Sequence, residues 1–278
     1  MKDLDDFTIA IVGLGLMGGS LAMALKQQRV GRCVQGADAD PQVVARALAL
    51  GVIDAPCADV TQVDWVVLAM PVRGIVAWLQ ARGCALSAEQ IVMDIGSTKQ
   101  QVVAAMEPLT AQCIGGHPMC GKETAGLASA DAQLFRGARF VLTPTTRTHD
   151  ATLRSTQSLV RRIGAQPIVM DAEAHDRATA AISHLPYLLS VNLVNTVAAQ
   201  HNADAMPLAA SGYASATRLA ASDTRMMGDI IATNRAHVLH ILDAYQAELA
   251  RLREAIADGD EEQWRERLAY AKKVKSVE

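Results

Sequence analysis

Short apolar runs alternate with helix-forming stretches through the first 171 residues. Phe7 to Val12 reads as a buried strand, and Gly19 to Gln28 as a helix. Val34 to Asp38 is a second strand, and Pro41 to Leu50 a helix ending at Gly51. Trp65 to Met70 is a strand stopped by Pro71, Ile75 to Arg82 a helix, and Ile91 to Ile95 a strand. Gly96-Ser97-Thr98-Lys99 then opens a helix running to about Met106. Gln112 to Gly115, Arg139 to Leu142 and Ile168 to Met170 complete the strands. Strands that alternate with helices predict a parallel, doubly wound α/β sheet. After residue 171 the pattern changes and the chain is nearly all helix-forming. Ala178 to Ala199 is apolar on most faces, which predicts burial, with Pro186 as a kink or a new start. A long helix is predicted from about Ser222 to Ile256, and a charged, exposed one from Glu261 to Lys275. Ser211 to Arg218 reads as a loop. The chain therefore divides into 1–171, α/β, and 172–278, all α. The helices carry more apolar surface than one small domain buries, which points to a homodimer joined through them.

Composition narrows the picture. Of 278 residues, 50% are hydrophobic and 20% charged, as expected for a globular chain of about two domains. The net charge of −3 offers no basic surface for nucleic acid. Cys33, Cys57, Cys84, Cys113 and Cys120 lack paired spacing, which speaks against disulfides or a zinc site and for a reducing cytoplasm. The acidic start, Met1 to Asp6, is no signal peptide, and no apolar run is long enough for a membrane.

Gly13-Leu14-Gly15-Leu16-Met17-Gly18 lies between the first strand and the first helix. Gly13 suits the tight turn, Gly15 the approach of a pyrophosphate, and Gly18 close packing of helix on strand. The helix N-terminus after it favours phosphate, and Leu16 and Met17 within the turn are further candidate cofactor contacts. A glycine-rich packing turn is the plainer alternative. Asp38, about 20 residues past the last glycine, is placed to hydrogen-bond both ribose hydroxyls and to repel a 2′-phosphate. The pattern is thus a Rossmann-type one that favours NAD over NADP. Asp40 is the better N-cap for the helix at Pro41.

Ligands of such sheets lie at the carboxyl ends of strands. Met70-Pro71, Gly96-Ser97 and Gly116-His117 all occupy such ends. His117 sits in Gly115-Gly116-His117-Pro118-Met119-Cys120-Gly121, an imidazole between two glycine-rich bends, and can act as a base near neutral pH. It can equally be a turn histidine without chemistry. Ser97 can face a ligand or simply cap its helix. His184, in Ile182-Ser183-His184-Leu185-Pro186, either faces the crevice or bonds backbone in the core. Arg218 suits bidentate recognition of a carboxylate.

Together, Gly13 to Ser20, Asp94 to Lys99, Gly115 to Met119, Leu142 to Thr145, Ile182 to Pro186 and Thr217-Arg218 make the chain resemble the prephenate/arogenate dehydrogenases of tyrosine biosynthesis over nearly its whole length. That resemblance implies oxidative decarboxylation of prephenate to 4-hydroxyphenylpyruvate with hydride transfer to NAD, or the equivalent reaction of arogenate giving tyrosine. It implies that His117 accepts the proton of the ring hydroxyl, that Ser97 orients that hydroxyl, that His184 contacts substrate and that Arg218 holds a carboxylate. No metal is implied. The family commonly carries a basic and an acidic residue before the Thr-Arg ending, where this chain has Ala214 and Ser215. An ion pair that would gate the pocket, with Glu123 as a candidate member, is therefore missing. Two rivals remain: a β-hydroxyacid dehydrogenase, which uses a helix lysine with no evident counterpart here, and a non-catalytic NAD sensor.

Overall fold

The computed structural model describes residues 3–122, 124–200 and 204–276. The chain forms two compact units, Met1–Asn234 and Arg235–Glu278. The first is built on an eight-stranded sheet of β1 (Thr8–Val12), β2 (Cys33–Ala37), β3 (Ala55–Pro56), β4 (Trp65–Leu68), β5 (Ile91–Asp94), β6 (Gln112–Pro118), β7 (Arg139–Pro144) and β8 (Gln166–Val169), in the order β3-β2-β1-β4-β5-β6-β7-β8. Helices α1 (Leu16–Gln27), α2 (Pro41–Ala49), α3 (Val72–Arg82) and α4 (Gln100–Met106) connect the parallel strands. Both sheet faces are covered, so alternate residues of one strand enter different cores. Ile9 and Ile11 of β1 pack with Leu21, Leu25 and Trp65, whereas Ala10 packs with Val66, Ile75 and Leu79. Each such aliphatic side chain taken from water contributes about 1.5–3 kcal/mol.

The expected all-parallel sheet holds for β1 to β6 and fails at one junction. β7 runs antiparallel to β6, with His117 opposite Val141. Among its described residues, the connection between them contains a 3-10 turn, Leu127–Ser129, and no crossover helix. A parallel return needs such a crossover, and an antiparallel one does not. Helix α5 (Asp150–Arg162) fills a stretch to which the apolar pattern assigns no element, and it restores parallel pairing between β7 and β8.

Three helical expectations change. First, Ser211–Thr217 is a helix, α8, rather than a loop. It follows α6 (Ala172–Thr179), a π turn at Ala180–His184, and α7 (Leu185–Ala199). Its alanines favour helix, and Thr217 Oγ1 bonds back to Tyr213 O at 2.7 Å. Second, the expected burial of Ala178 to Ala199 does not extend along α7, where only Tyr187 and Ser190 are buried. Pro186 begins that helix, one of its two expected roles, in the first turn where the missing N–H is harmless. Third, the long helix expected from Ser222 is split into α9 (Thr224–Thr233) and α10 (Arg235–Ala257). Asn234 separates them with φ −120° and ψ 27°, and its side chain is engaged elsewhere in the first unit.

The second unit is an antiparallel-type hairpin of α10 and α11 (Glu261–Lys275), joined through Gly259 at φ +68°. Asp260 caps α11 by accepting from Gln263 N at 3.0 Å. Helix α11 buries none of its residues, as its charge pattern predicts, and leaves Leu268, Tyr270 and Val274 exposed. All five cysteines are free thiols. Among the described residues, no helix is long and apolar enough to cross a membrane.

Candidate active site

The glycine turn has the shape that a diphosphate requires. Gly13 takes φ +96°, and a Cβ there would lie 2.5 Å from Ala69 O. A Cβ at Gly18 would lie 1.9 Å from Gly13 O, so helix and turn meet only through glycine. At Gly15 a Cβ would meet nothing within 4 Å, which leaves open space above the backbone. Gly15 stands at the N-cap of α1 without a capping side chain, so the helix end keeps donors for an anion. Asp38 folds back onto this turn. Its Oδ2 accepts from Leu14 N at 2.8 Å and its Oδ1 from Asp40 N at 3.0 Å. Asp40 itself caps α2 through Gln42 N at 2.8 Å, as its position predicts. Open space, helix donors and a carboxylate at the end of β2 fit a dinucleotide. Met70 and Pro71 follow β4 beside the turn, and Pro71 precedes α3.

The centre of the sheet is tied together by a buried ion pair. Lys99 Nζ bonds Asp94 Oδ2, and both side chains are wholly buried. Asp94 also accepts from Gly96 N at 2.7 Å and from Gly116 N at 3.1 Å. Burial pushes the Asp94 carboxyl up and the Lys99 ammonium down, while each charge pulls the other back. Asp94 thus joins the loop carrying Ser97 to the strand carrying His117. Gly115 and Gly116 belong to strand β6, not to a bend next to a ligand. A Cβ at Gly115 would strike Thr143 Oγ1 at 2.1 Å, and one at Gly116 would strike Asp94 O at 2.6 Å. These glycines serve packing of strand on strand.

His117 is half-buried near the carboxyl end of β6. Its Nδ1 lies 2.8 Å from Nε2 of His175, and the rings meet edge to face at 5.0 Å. Burial, together with His175, Lys99 and His184, holds the His117 ring well below the usual histidine range. His175 Nδ1 is 2.8 Å from Asp176 Oδ1. Asp176 in turn accepts from Lys99 N at 2.7 Å and Gln100 N at 2.9 Å. This remote carboxylate caps α4. Ser97 therefore does not cap that helix, which begins three residues later at Gln100, and its half-buried side chain is left to the loop.

His184 is buried in the π turn. Its Nδ1 lies 3.2 Å from Asn234 Nδ2, which also donates to Asp176 O at 2.7 Å. Burial outweighs the attraction of Asp176 and pushes His184 down to about 4, so it is neutral at physiological pH. With Asn234 donating to Nδ1, its remaining proton sits on Nε2. The fold thus brings His117 and His184 into one network, through His175, Asp176 and Asn234. Those three carry no motif, and His175 lies 58 residues from its partner His117. An adjacent His-Asp pair just inside the helix capped by Asp171 was the only local signal. Arg218 stands on a different element, exposed at the start of a 3-10 turn that is anchored on α7 by Ala220 N to Ser190 Oγ at 3.0 Å. Ala214 and Ser215 are exposed on α8. Glu123 lies outside the described residues.

Comparison with known proteins agrees with this geometry. Residues 21–169 match the family described as "Prephenate dehydrogenase, nucleotide-binding domain", and residues 171–270 match "Prephenate dehydrogenase, dimerization domain". The chain is 33% identical to prephenate dehydrogenase of Bacillus subtilis, over 94% of this chain and 72% of that protein. It is 34% identical to cyclohexadienyl dehydrogenase of Zymomonas mobilis, over 91% of this chain and 90% of that protein. The structure of prephenate dehydrogenase from Aquifex aeolicus in complex with hydroxyphenyl propionate and NAD+ superposes with a TM-score of 0.92, at 29% identity and full coverage of both chains. A dinucleotide turn, a depressed histidine at the end of β6 and matches to both family domains place the chain in the prephenate dehydrogenase family of NAD-dependent oxidoreductases.

Proposed function

We propose that the chain converts prephenate to 4-hydroxyphenylpyruvate and carbon dioxide with NAD, in the cytoplasm and as a homodimer. Residues 1–171 hold the cofactor, and residues 172–278 supply substrate and dimer contacts. The observation that carries the reading is His117: a histidine with depressed basicity, half-buried at a strand end and supported through Nδ1. When bound, NAD would supply the hydride acceptor for C4 of the ring. The residues that would hold it are Gly13, Gly15, Leu16, Met17 and Gly18, with Asp38 as the group that would meet the ribose and Met70 and Pro71 beside the same turn.

His117 Nε2 takes the proton of the C4 hydroxyl as the ring loses its C1 carboxylate and becomes aromatic. Aromatisation supplies the drive, so the protein's part is to position the ring and receive one proton. Ser97, free of capping, orients the hydroxyl. His184 meets the substrate as a neutral Nε2–H donor, and Arg218 offers a bidentate partner to a carboxylate. The β-hydroxyacid alternative needs an accessible lysine on this face. Lys99, next to α4, is wholly buried against Asp94 and does not supply it.

The test is a pH–rate profile of wild type and His117→Asn with prephenate and arogenate, each with NAD and NADP. A general base contributes about 10²–10⁴-fold, so the variant is expected to lose kcat on that scale. Because the His117 pKa is depressed, wild-type kcat should hold down to about pH 6.5 and fall only below it. A variant with near-normal kcat and the same acidic limb would end the assignment. Sedimentation at micromolar concentration checks the dimer, and a monomer would overturn it.

A further inference from the structure

We propose that His175 and Asp176 are positioning residues that set the tautomer of His117, leaving its Nε2 unprotonated toward the substrate. This rests on the reading of His117 as the base.

The polarity follows from the carboxylate outward. Asp176 Oδ1 accepts from Lys99 N at 2.7 Å, and Oδ2 accepts from Gln100 N at 2.9 Å. A carboxylate surrounded by donors only accepts, so His175 Nδ1, at 2.8 Å from Oδ1, donates. A neutral His175 then has its lone pair on Nε2. His117 Nδ1, 2.8 Å away, must carry the proton of that bond. A neutral His117 is left with its lone pair on Nε2. Both His175 and Asp176 are buried, so water does not compete for either contact.

The same pair serves the protonated state. When His117 gains a proton on Nε2, its Nδ1–H still points at His175, and the Asp176 carboxylate lies one ring further along the chain. Asp176 also holds the N-terminus of α4, directly after Ser97 and Thr98. One carboxylate therefore fixes the ring that takes the proton and the loop of the serine that orients the hydroxyl. Asn234 steadies the arrangement by donating to Asp176 O at 2.7 Å. The opposite polarity requires His175 to carry protons on both nitrogens. His117 would then expose an Nε2–H and could not act as a base.

The experiment compares kcat, prephenate KM and NAD affinity for wild type, His175→Gln, His175→Phe and His117→Asn. Glutamine offers Oε1 to His117 and an amide N–H to Asp176, so it restores both bonds without a ring. Phenylalanine fills the ring volume and offers neither. His175→Phe is expected to lose about 10–10²-fold in kcat, with KM and NAD affinity within about threefold, and His175→Gln to recover kcat to within about fivefold of wild type. If His175→Phe matches or exceeds His175→Gln, the role is packing and the proposal fails. If His117→Asn is impaired while His175→Phe is normal, the clamp alone fails. If His117→Asn is active, the base assignment itself fails. Imidazole nitrogen chemical shifts of wild type need no folded variant. A protonated Nδ1 and bare Nε2 on neutral His117 are expected, and the reverse overturns the proposal.

Discussion

Replacing Lys99 by methionine removes the cation from a pair in which neither side chain is exposed. Methionine has similar length, so the cavity left is small. Asp94 would keep its bonds from Gly96 N and Gly116 N and lose its ionic partner. Breaking one side of a buried pair costs about 3–5 kcal/mol. At about 2–4 °C per kcal/mol for a chain approaching this size, Tm should fall by about 6–20 °C. The loss should also depend on pH in a definite direction. Burial already raises Asp94, and removing Lys99 removes the attraction that opposes this shift. The unfolded carboxyl titrates near about 3.9. Above that pH the folded variant must either hold a bare anion or bind a proton that the unfolded chain does not need. The penalty therefore grows as pH rises from about 4 and fades as pH falls toward it. Thermal melts at about pH 4.5 and 7.5 measure both effects. Adding Asp94→Asn should return part of the lost stability at neutral pH, because no buried charge remains. A drop under about 3 °C at neutral pH, or the same drop at both pH values, would refute the reasoning.

Three further outcomes are expected. Asp38→Ala should weaken NAD more than NADP in KM comparisons, because it removes a ribose acceptor and a charge that repels a 2′-phosphate; equal effects on the two cofactors would count against Asp38 as the discriminator. Arg218→Ala should reduce kcat/KM for prephenate on the order of ten- to a hundredfold and leave NAD affinity nearly intact, and a change within a few-fold would move the carboxylate to another partner. His184 sits at about 4 in the fold against about 6.5 unfolded, so its share of stability is present above pH 6.5 and lost as pH falls through the folded value. That share is about 3 kcal/mol, and urea melts of His184→Gln should show a shallower loss of stability between those pH values than wild type.

Local sequence was enough for much of the molecule. The apolar alternation located seven of the strands to within a few residues, because strand period and length are properties of neighbouring residues. The spacing of Gly13, Gly15 and Gly18 gave the strand–turn–helix that the fold shows, and Asp38 falls at the end of β2 as its position predicts, folded back onto that turn. His117 stood out by its surroundings, although Gly115 and Gly116 turned out to serve packing against Thr143 and Asp94. The reversal of β7 was not legible, since it depends on the absence of a crossover helix in a long, irregular connection. Which of the two readings of Ser97 holds was not legible for a related reason. A serine before a helix is a good cap by local rules, yet Asp176, 76 residues beyond Gln100, takes that work. Asn234 broke a helix that propensity alone would have continued, and its amide joins His184 to Asp176. The chain by itself determined which residues form strands, where a glycine turn with dinucleotide-site spacing joins the first strand to the first helix, and which histidine stands at a strand end. Only the tertiary structure decided what supports that histidine, because its Nδ1 contact runs through His175 to Asp176, and such bonds join residues that no sequence period relates.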